Sequence, residues 1–288
     1  MAHIPVLLDE AINFLQPEKG QAFIDATANG GGHTEEILKK MTSRGVLVAV
    51  DRDERAIEIL KKKFAHDLRF KAISGNFRNL KKLASQFSKT YDGILFDLGM
   101  SSNQLEKSGR GFSFQKDEPL IMTYEAKFPT DQLTAAEIVN TWPEEKLAEI
   151  FWEYGQERRA RKIARVITRE RRLERILSSR QLAEIIAHKF PQRVTRIHPA
   201  TKIFQALRIA VNDELAALEE GLVEAWDILG QGGRLVAISF HSLEDRIVKR
   251  FFSAKGGSAK PLHPSRLEIQ NNPRSRSAKL RALIKFKI

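Results

Sequence analysis

The 288-residue chain carries 48 Lys and Arg against 36 Asp and Glu, a formal charge of +12, and no cysteine. The lack of thiols excludes disulfides, thiolate-bound zinc, iron–sulfur chemistry and any cysteine nucleophile. No apolar run reaches membrane-spanning length, and "MAHIPVLLDEAINFL" has acids inside its apolar stretch and no basic leader, which predicts a cytoplasmic protein without a membrane partner. A basic balance favours polyanionic partners. Between Glu157 and Lys202 there are 14 Lys and Arg against 4 acids, a net +10, so much of the excess is concentrated there.

In chain order, the short apolar runs "QAFIDAT", "GVLVAVD", "FKAISGN" and "YDGILFDLG" predict four strands, each closing on Asp, Gly or Asn. Helical spacing around Thr34–Met41, Glu54–Phe64 and Asn79–Phe87 separates them, the alternation of an α/β sheet. From Ser102 to about Ala200 the strand rhythm stops. Leu147, Ile150, Phe151 and Tyr154 follow Pro143 at helical spacing, with Pro143 in the first turn. "RRARKIARVITRERR" interleaves Ile163, Val166 and Ile167 with basic residues, and Ser178 with Gln181 makes a capping box ahead of Leu182, Ile185 and Ile186. A long helix ending near Leu229, a fifth strand in "GGRLVAISFHS", a long loop over Ser253–Ser277 and a last strand in "AKLRALIKFKI" complete the chain. The expected organisation is a discontinuous α/β domain, residues 1–104 and 205–288, with a helical substrate-recognition insertion, 105–204, between the fourth and fifth strands.

The stretch "DATANGGGH" turns from the first strand into a helix. It lacks the Lys-Ser/Thr of a phosphate-binding loop and the spacing of a dinucleotide fingerprint. Asp51 closes the next strand about 20 residues further on, where an acid suits the two hydroxyls of a ribose. An adenosine with a short, charged, non-phosphate tail is the ligand this pattern expects, and S-adenosylmethionine fits. Asn76-Phe77 and Asp97-Leu98-Gly99 end the third and fourth strands. Phe77 either flanks an adenine or packs in the core. A carboxylate at a buried strand end, as expected for Asp97, is costly unless it is paired or used.

The motifs "HIPVLLDE", "DATANGGGH", "DRDERAI", "FDLGMSSNQL", "RGFSF", "HPATKIFQALRIAVNDEL", "ISFHSLEDRIVKRF" and "NPRSRSAKLRA" closely resemble the ribosomal RNA small subunit methyltransferase H family, nearly end to end. The resemblance implies a Rossmann-like S-adenosylmethionine-dependent methyltransferase sheet that methylates the exocyclic N4 of a decoding-centre cytidine in 16S ribosomal RNA, within the small ribosomal subunit. It implies cofactor contacts from Gly31, Gly32, His33, Asp51, Phe77, Asp97 and Gln104. The chain departs from the family pattern in three places. D-G-P-L-D-M-R-M reads Asp117-Glu118-Pro119-Leu120-Ile121-Met122-Thr123-Tyr124, Asn29 stands for a glycine, and Gln156 for an acid.

Cytosine N4 is a poor nucleophile, and a carboxylate accepting a hydrogen bond from it would offset the developing charge and guide proton loss. Asp97 is the candidate for this role, or else it holds the cofactor. C5 methylation of cytosine uses a cysteine, absent here, so composition favours N4. His241 either hydrogen-bonds or stacks on a flipped base, or packs structurally at the strand end. Ser101, Ser102 and Gln104 line the pocket or cap a turn. Arg158, Arg161 and Arg165 are the candidate RNA contacts. No Asp, Glu and His spacing supports a metal site. The competing readings are a DNA amino-methyltransferase, which usually carries a D/N/S-P-P-Y/F turn where "DLGMSS" stands, and a non-catalytic RNA-binding relative.

Overall fold

The computed structural model describes residues 5–100, 105, 108–125, 132–191, 198–257 and 260–286. They fall into two compact units, Met1–Ser101 with Leu215–Ile288, and Ser102–Glu214.

The first unit opens with α1 (Leu8–Leu15) and then alternates β1 (Ala22–Asp25), α2 (Gly32–Lys40), β2 (Val46–Asp51), α3 (Glu54–Lys63), β3 (Phe70–Ser74), α4 (Leu80–Ala84) and β4 (Tyr91–Asp97). The sheet order is β3-β2-β1-β4-β5-β6, with every pairing parallel except β5 with the antiparallel β6. The inner strands β1, β2 and β4 are buried on both faces, which is why they read as continuous apolar runs rather than alternating ones. Ala22, Ile24, Val48, Val50, Ile94 and Phe96 face one hydrophobic cluster, while Phe23, Leu47, Ala49 and Leu95 face the other. The direction of winding reverses between β1 and β4, and open α/β sheets bind ligands outside the carboxyl ends of the strands at such a switch. Asp25 and Asp97 end those two strands.

The second unit holds α5 (Ala135–Thr141), α6 (Glu144–Glu153), α7 (Ala160–Glu170), α8 (Ser179–Lys189) and α9 (Thr201–Asn212). Leu147, Ile150 and Phe151 of α6 and Ile163, Ala164 and Ile167 of α7 are buried, and the charged faces lie outward. Pro143 is the N-cap rather than a first-turn residue. Ser178 caps α8 by accepting from Gln181 N, but the Gln181 side chain accepts from Leu177 N and not from the cap, so the box is only half formed.

The chain then returns to the sheet through α10 (Glu214–Ile228), β5 (Leu229–Ser239), α11 (Ser242–Ala254), α12 (Arg266–Asn271), a 3-10 turn (Pro273–Ser277) and β6 (Lys279–Ile284). Two expectations need correcting. The return to the first unit falls after Glu214, not at 205. Residues 201–212 form one unbroken helix packed on α6, and Asp213 ends it in the left-handed conformation, φ 49°. The expected loop Ser253–Ser277 contains α12, which Ser265 caps by accepting from Glu268 N.

Candidate active site at the strand ends

Three carboxylates, Asp25, Asp51 and Asp97, close β1, β2 and β4, and all three are buried. Asp25 accepts from the Thr34 hydroxyl at 2.7 Å, and its pKa is pushed up to about 6 by burial against those hydrogen bonds. Asp51 accepts from the backbone N–H of Asn29 at 2.7 Å and of Asp53 at 2.8 Å, yet burial still pushes it up to about 6. Asp97 is the extreme case. Burial first, and then the charges of Asp25 and Glu244, raise it to about 8. Its Oδ1 is buried and has no hydrogen-bond partner among the described residues.

The glycine turn owes its shape to the protein itself. Gly31 caps α2 at φ 75°, and a Cβ there would meet Leu60 Cδ2 at 2.3 Å. A Cβ on Gly32 would meet Pro5 Cγ at 2.7 Å. Asn29 takes φ 46°, which Asn tolerates among non-glycine residues, and its amide reaches Thr27 O and Gly99 O. His33 is buried, with Nε2 3.1 Å from Val6 O and Nδ1 3.6 Å from Asp97 Oδ2. It therefore links the segment before α1 to the β4 carboxylate.

Phe77 packs edge-on to Phe96, 5.5 Å between ring centres, and against Gly221 of α10, where a Cβ would meet its ring at 2.6 Å. It is half-buried, so it serves the core and keeps some surface exposed. His241 is the N-cap of α11. Its Nδ1 accepts from Glu244 N at 3.4 Å, which leaves the ring proton on Nε2. Nε2 lies 2.9 Å from Glu244 Oε1 but is misaligned for a hydrogen bond, and it is buried without a hydrogen-bond partner among the described residues. Because Asp97 registers with Ile238 on β5, these buried groups sit on neighbouring strand ends. One is an acceptor, Asp97 Oδ1, and the other a donor, His241 Nε2–H. Ser101, Ser102 and Gln104 lie outside the described residues.

Sequence reasoning missed the supporting groups. Thr34, on α2, holds Asp25, and Thr27 Oγ1 accepts from the Asp97 backbone N–H. Only their position on either side of the glycine turn hinted at this.

In the second unit, Arg158, Arg161 and Arg165 are exposed along α7 and the turn before it. Arg165 is not fully available, since Nε lies 3.3 Å from Glu144 Oε1. The altered segment Asp117–Tyr124 is bound into this unit. Leu120, Met122 and Thr123 are buried, Leu120 N donates to Leu177 O, and Asn212 donates to Met122 O while accepting from Tyr124 N. Thr123, where the family pattern has Arg, donates its hydroxyl to Glu125 at 2.6 Å.

A family model described as the MraW methylase family matches residues 1–259. The chain is 46% identical to the ribosomal RNA small subunit methyltransferase H of Thermomicrobium roseum, covering 97% of this chain and 92% of that protein. It is 45% identical to the protein of the same name from Carboxydothermus hydrogenoformans, covering 99% and 98%. Among solved structures, an rRNA methylase from Streptococcus thermophilus aligns with a TM-score of 0.43 at 12% identity, over 97% of this chain and 94% of that one.

Proposed function

The chain belongs to the MraW methylase family and is an S-adenosylmethionine-dependent methyltransferase; from that premise we propose that its substrate is small-subunit ribosomal RNA. The accepting atom is the exocyclic N4 of a decoding-centre cytidine in 16S ribosomal RNA. The observation that carries the atom assignment is the pair of buried, unsatisfied groups, Asp97 Oδ1 and His241 Nε2–H, on neighbouring strand ends.

The residues present fit the cofactor. Three buried acids at the strand ends suit a ligand bearing sulfonium and ammonium charges, since burial first and neighbouring acids second raise each of them toward neutrality. Asp51 would take the ribose hydroxyls, with Gly31, Gly32, His33, Phe77 and Gln104 completing the cradle. The cofactor, when bound, supplies an electrophilic methyl group.

Asp97 Oδ1 accepts from the N4 amine, counters its developing positive charge and draws off its proton. His241 Nε2–H donates to an acceptor on the same base edge, fixing its orientation. The absence of cysteine supports N4 over C5. The exposed Arg158 and Arg161, with Arg165, hold the RNA backbone, and the exposed Trp152 at the end of α6 offers a face for a base.

Transfer of label from S-adenosylmethionine tests the substrate class. Undermethylated small subunits should take up label, while large subunits and duplex DNA should not. Preferential labelling of DNA would overturn the reading.

A further inference from the structure

The chain carries a second concentration of positive charge. From Arg246 to Ile288 there are 12 Lys and Arg against a single acid, Glu268, a net +11. This exceeds the +10 of Glu157–Lys202, and it belongs to the first unit, the one that holds the strand-end carboxylates. Part of the charge is structural. Lys279 and Arg281 both pair with the carboxylate of Asp245, and Lys285 donates to the Trp226 and Leu229 carbonyls at the end of α10.

Other cations of this stretch are turned to solvent. On α11, Val248 and Phe252 are buried, whereas Arg246, Lys249 and Arg250 are exposed at positions i, i+3 and i+4, a single helical stripe. Arg266 on α12 and Arg276 on the following 3-10 turn are exposed as well. The one acid of this stretch, Glu268, is partly buried and accepts from Leu7 N at 2.8 Å.

Register fixes where these groups lie. Lys279 at the start of β6 pairs with Ser239 at the end of β5, so the turn bearing Arg276 sits at the carboxyl end of the sheet. Helix α11 starts at that same end, capped by His241, and its basic stripe, Arg246 to Arg250, begins about 7 Å along the helix and spans about 6 Å at 1.5 Å per residue.

We propose that the exposed cations of the catalytic unit, Arg246, Lys249 and Arg250 on α11 with Arg266 on α12 and Arg276 on the following turn, are phosphate-binding surface for the substrate RNA. The assignment rests on the ribosomal RNA reading above. A stripe of exposed cations matches a polyanion whose charges recur along its length, and each phosphate engaged releases counterions. The surface holds the strand that leads into the strand ends, so it acts on RNA affinity and leaves the cofactor alone.

The test uses the full chain, small-subunit ribosomal RNA and two variants, Arg246→Gln/Lys249→Gln/Arg250→Gln and Arg266→Gln/Arg276→Gln. Affinity for S-adenosylhomocysteine, measured by calorimetry, reports that each variant is folded and should match wild type. In a salt titration of RNA binding, the plot of log K against log salt should become shallower by about 2 for the triple variant and about 1.4 for the double, at roughly 0.7 per phosphate of single-stranded RNA. KM for RNA should rise with kcat unchanged. Wild-type slope and KM in both variants would overturn the surface while leaving the functional reading standing. Failure of wild type to methylate any ribosomal RNA would overturn both. Variants that keep RNA binding but lose binding to vesicles of phosphatidylglycerol and phosphatidylcholine would assign the face to a lipid surface and refute the proposal.

Discussion

Asp97 shows how a single position sets stability against chemistry. Its carboxyl is held at about 8 in the folded chain against an ordinary 3.8, so the folded state grips its proton more tightly than the unfolded state. Stability from this group is full below pH 4 and is lost as pH rises through 8. Asp97→Asn removes that loss. Its melting temperature without cofactor should therefore exceed wild type by several degrees at pH 8.5, and the gap should shrink toward pH 4. Scanning calorimetry giving the same difference at both pH values would contradict the burial account. The same variant should lose at least about 100-fold in single-turnover methylation, the scale of acid–base or electrostatic assistance; near-normal turnover would remove Asp97 from the chemistry. Asp51 makes the complementary case. Asp51→Ala should weaken S-adenosylmethionine binding about 10- to 100-fold, the worth of a charged hydrogen bond. Unchanged affinity by calorimetry, in a variant that still melts cooperatively, would take Asp51 out of the ribose role. The acids themselves were legible in the sequence, because a carboxylate ending an apolar run stands out. Their satisfaction was not. Nothing in "DATANGGGH" says that the glycines make room for Leu60 and Pro5, or that His33 bridges Val6 and Asp97.

At the scale of elements, α7 shows what a helical pattern does and does not reveal. The spacing of Ile163 and Ile167 correctly announces a buried stripe beneath a basic face, and Val166 is only half-buried. That Arg165 leans on Glu144 of α6 depends on tertiary packing, to which spacing is blind. Changing Arg158, Arg161 and Arg165 to Glu should make the salt slope of RNA binding shallower by about 2 or more. Cofactor affinity should not move. A triple variant that binds and methylates small subunits like wild type across a salt titration would dismiss α7 as an RNA contact. The two misread stretches have physical causes. The helical signal of α9 runs into that of α10 with only Asp213 between them, and a lone Asp with positive φ leaves little trace in a sequence. Helix α12 has six residues, too few for periodicity, and Pro, Gly and Ser around it masked the Ser265–Glu268 cap.

Across the whole molecule, two basic regions stand out against a remainder that is net acidic, and the carboxylates suited to a cationic cofactor belong to the same unit as the second basic region. The strand order was less legible than the strands, since apolar runs do not state which neighbour each will take. The reversal between β1 and β4 nevertheless brings Asp25 and Asp97 side by side, and their mutual repulsion is part of what raises Asp97. A buried carboxylate that is close to neutral without its cationic partner, beside an imidazole N–H, is suited to an amine on a planar base. The most direct measurement is mass spectrometry of nucleosides from small-subunit RNA methylated by the wild-type chain with isotopically labelled S-adenosylmethionine. The account predicts label in N4-methylcytidine, abolished by Asp97→Asn. Label in 5-methylcytidine, in a methylated adenosine or on a ribose would contradict it.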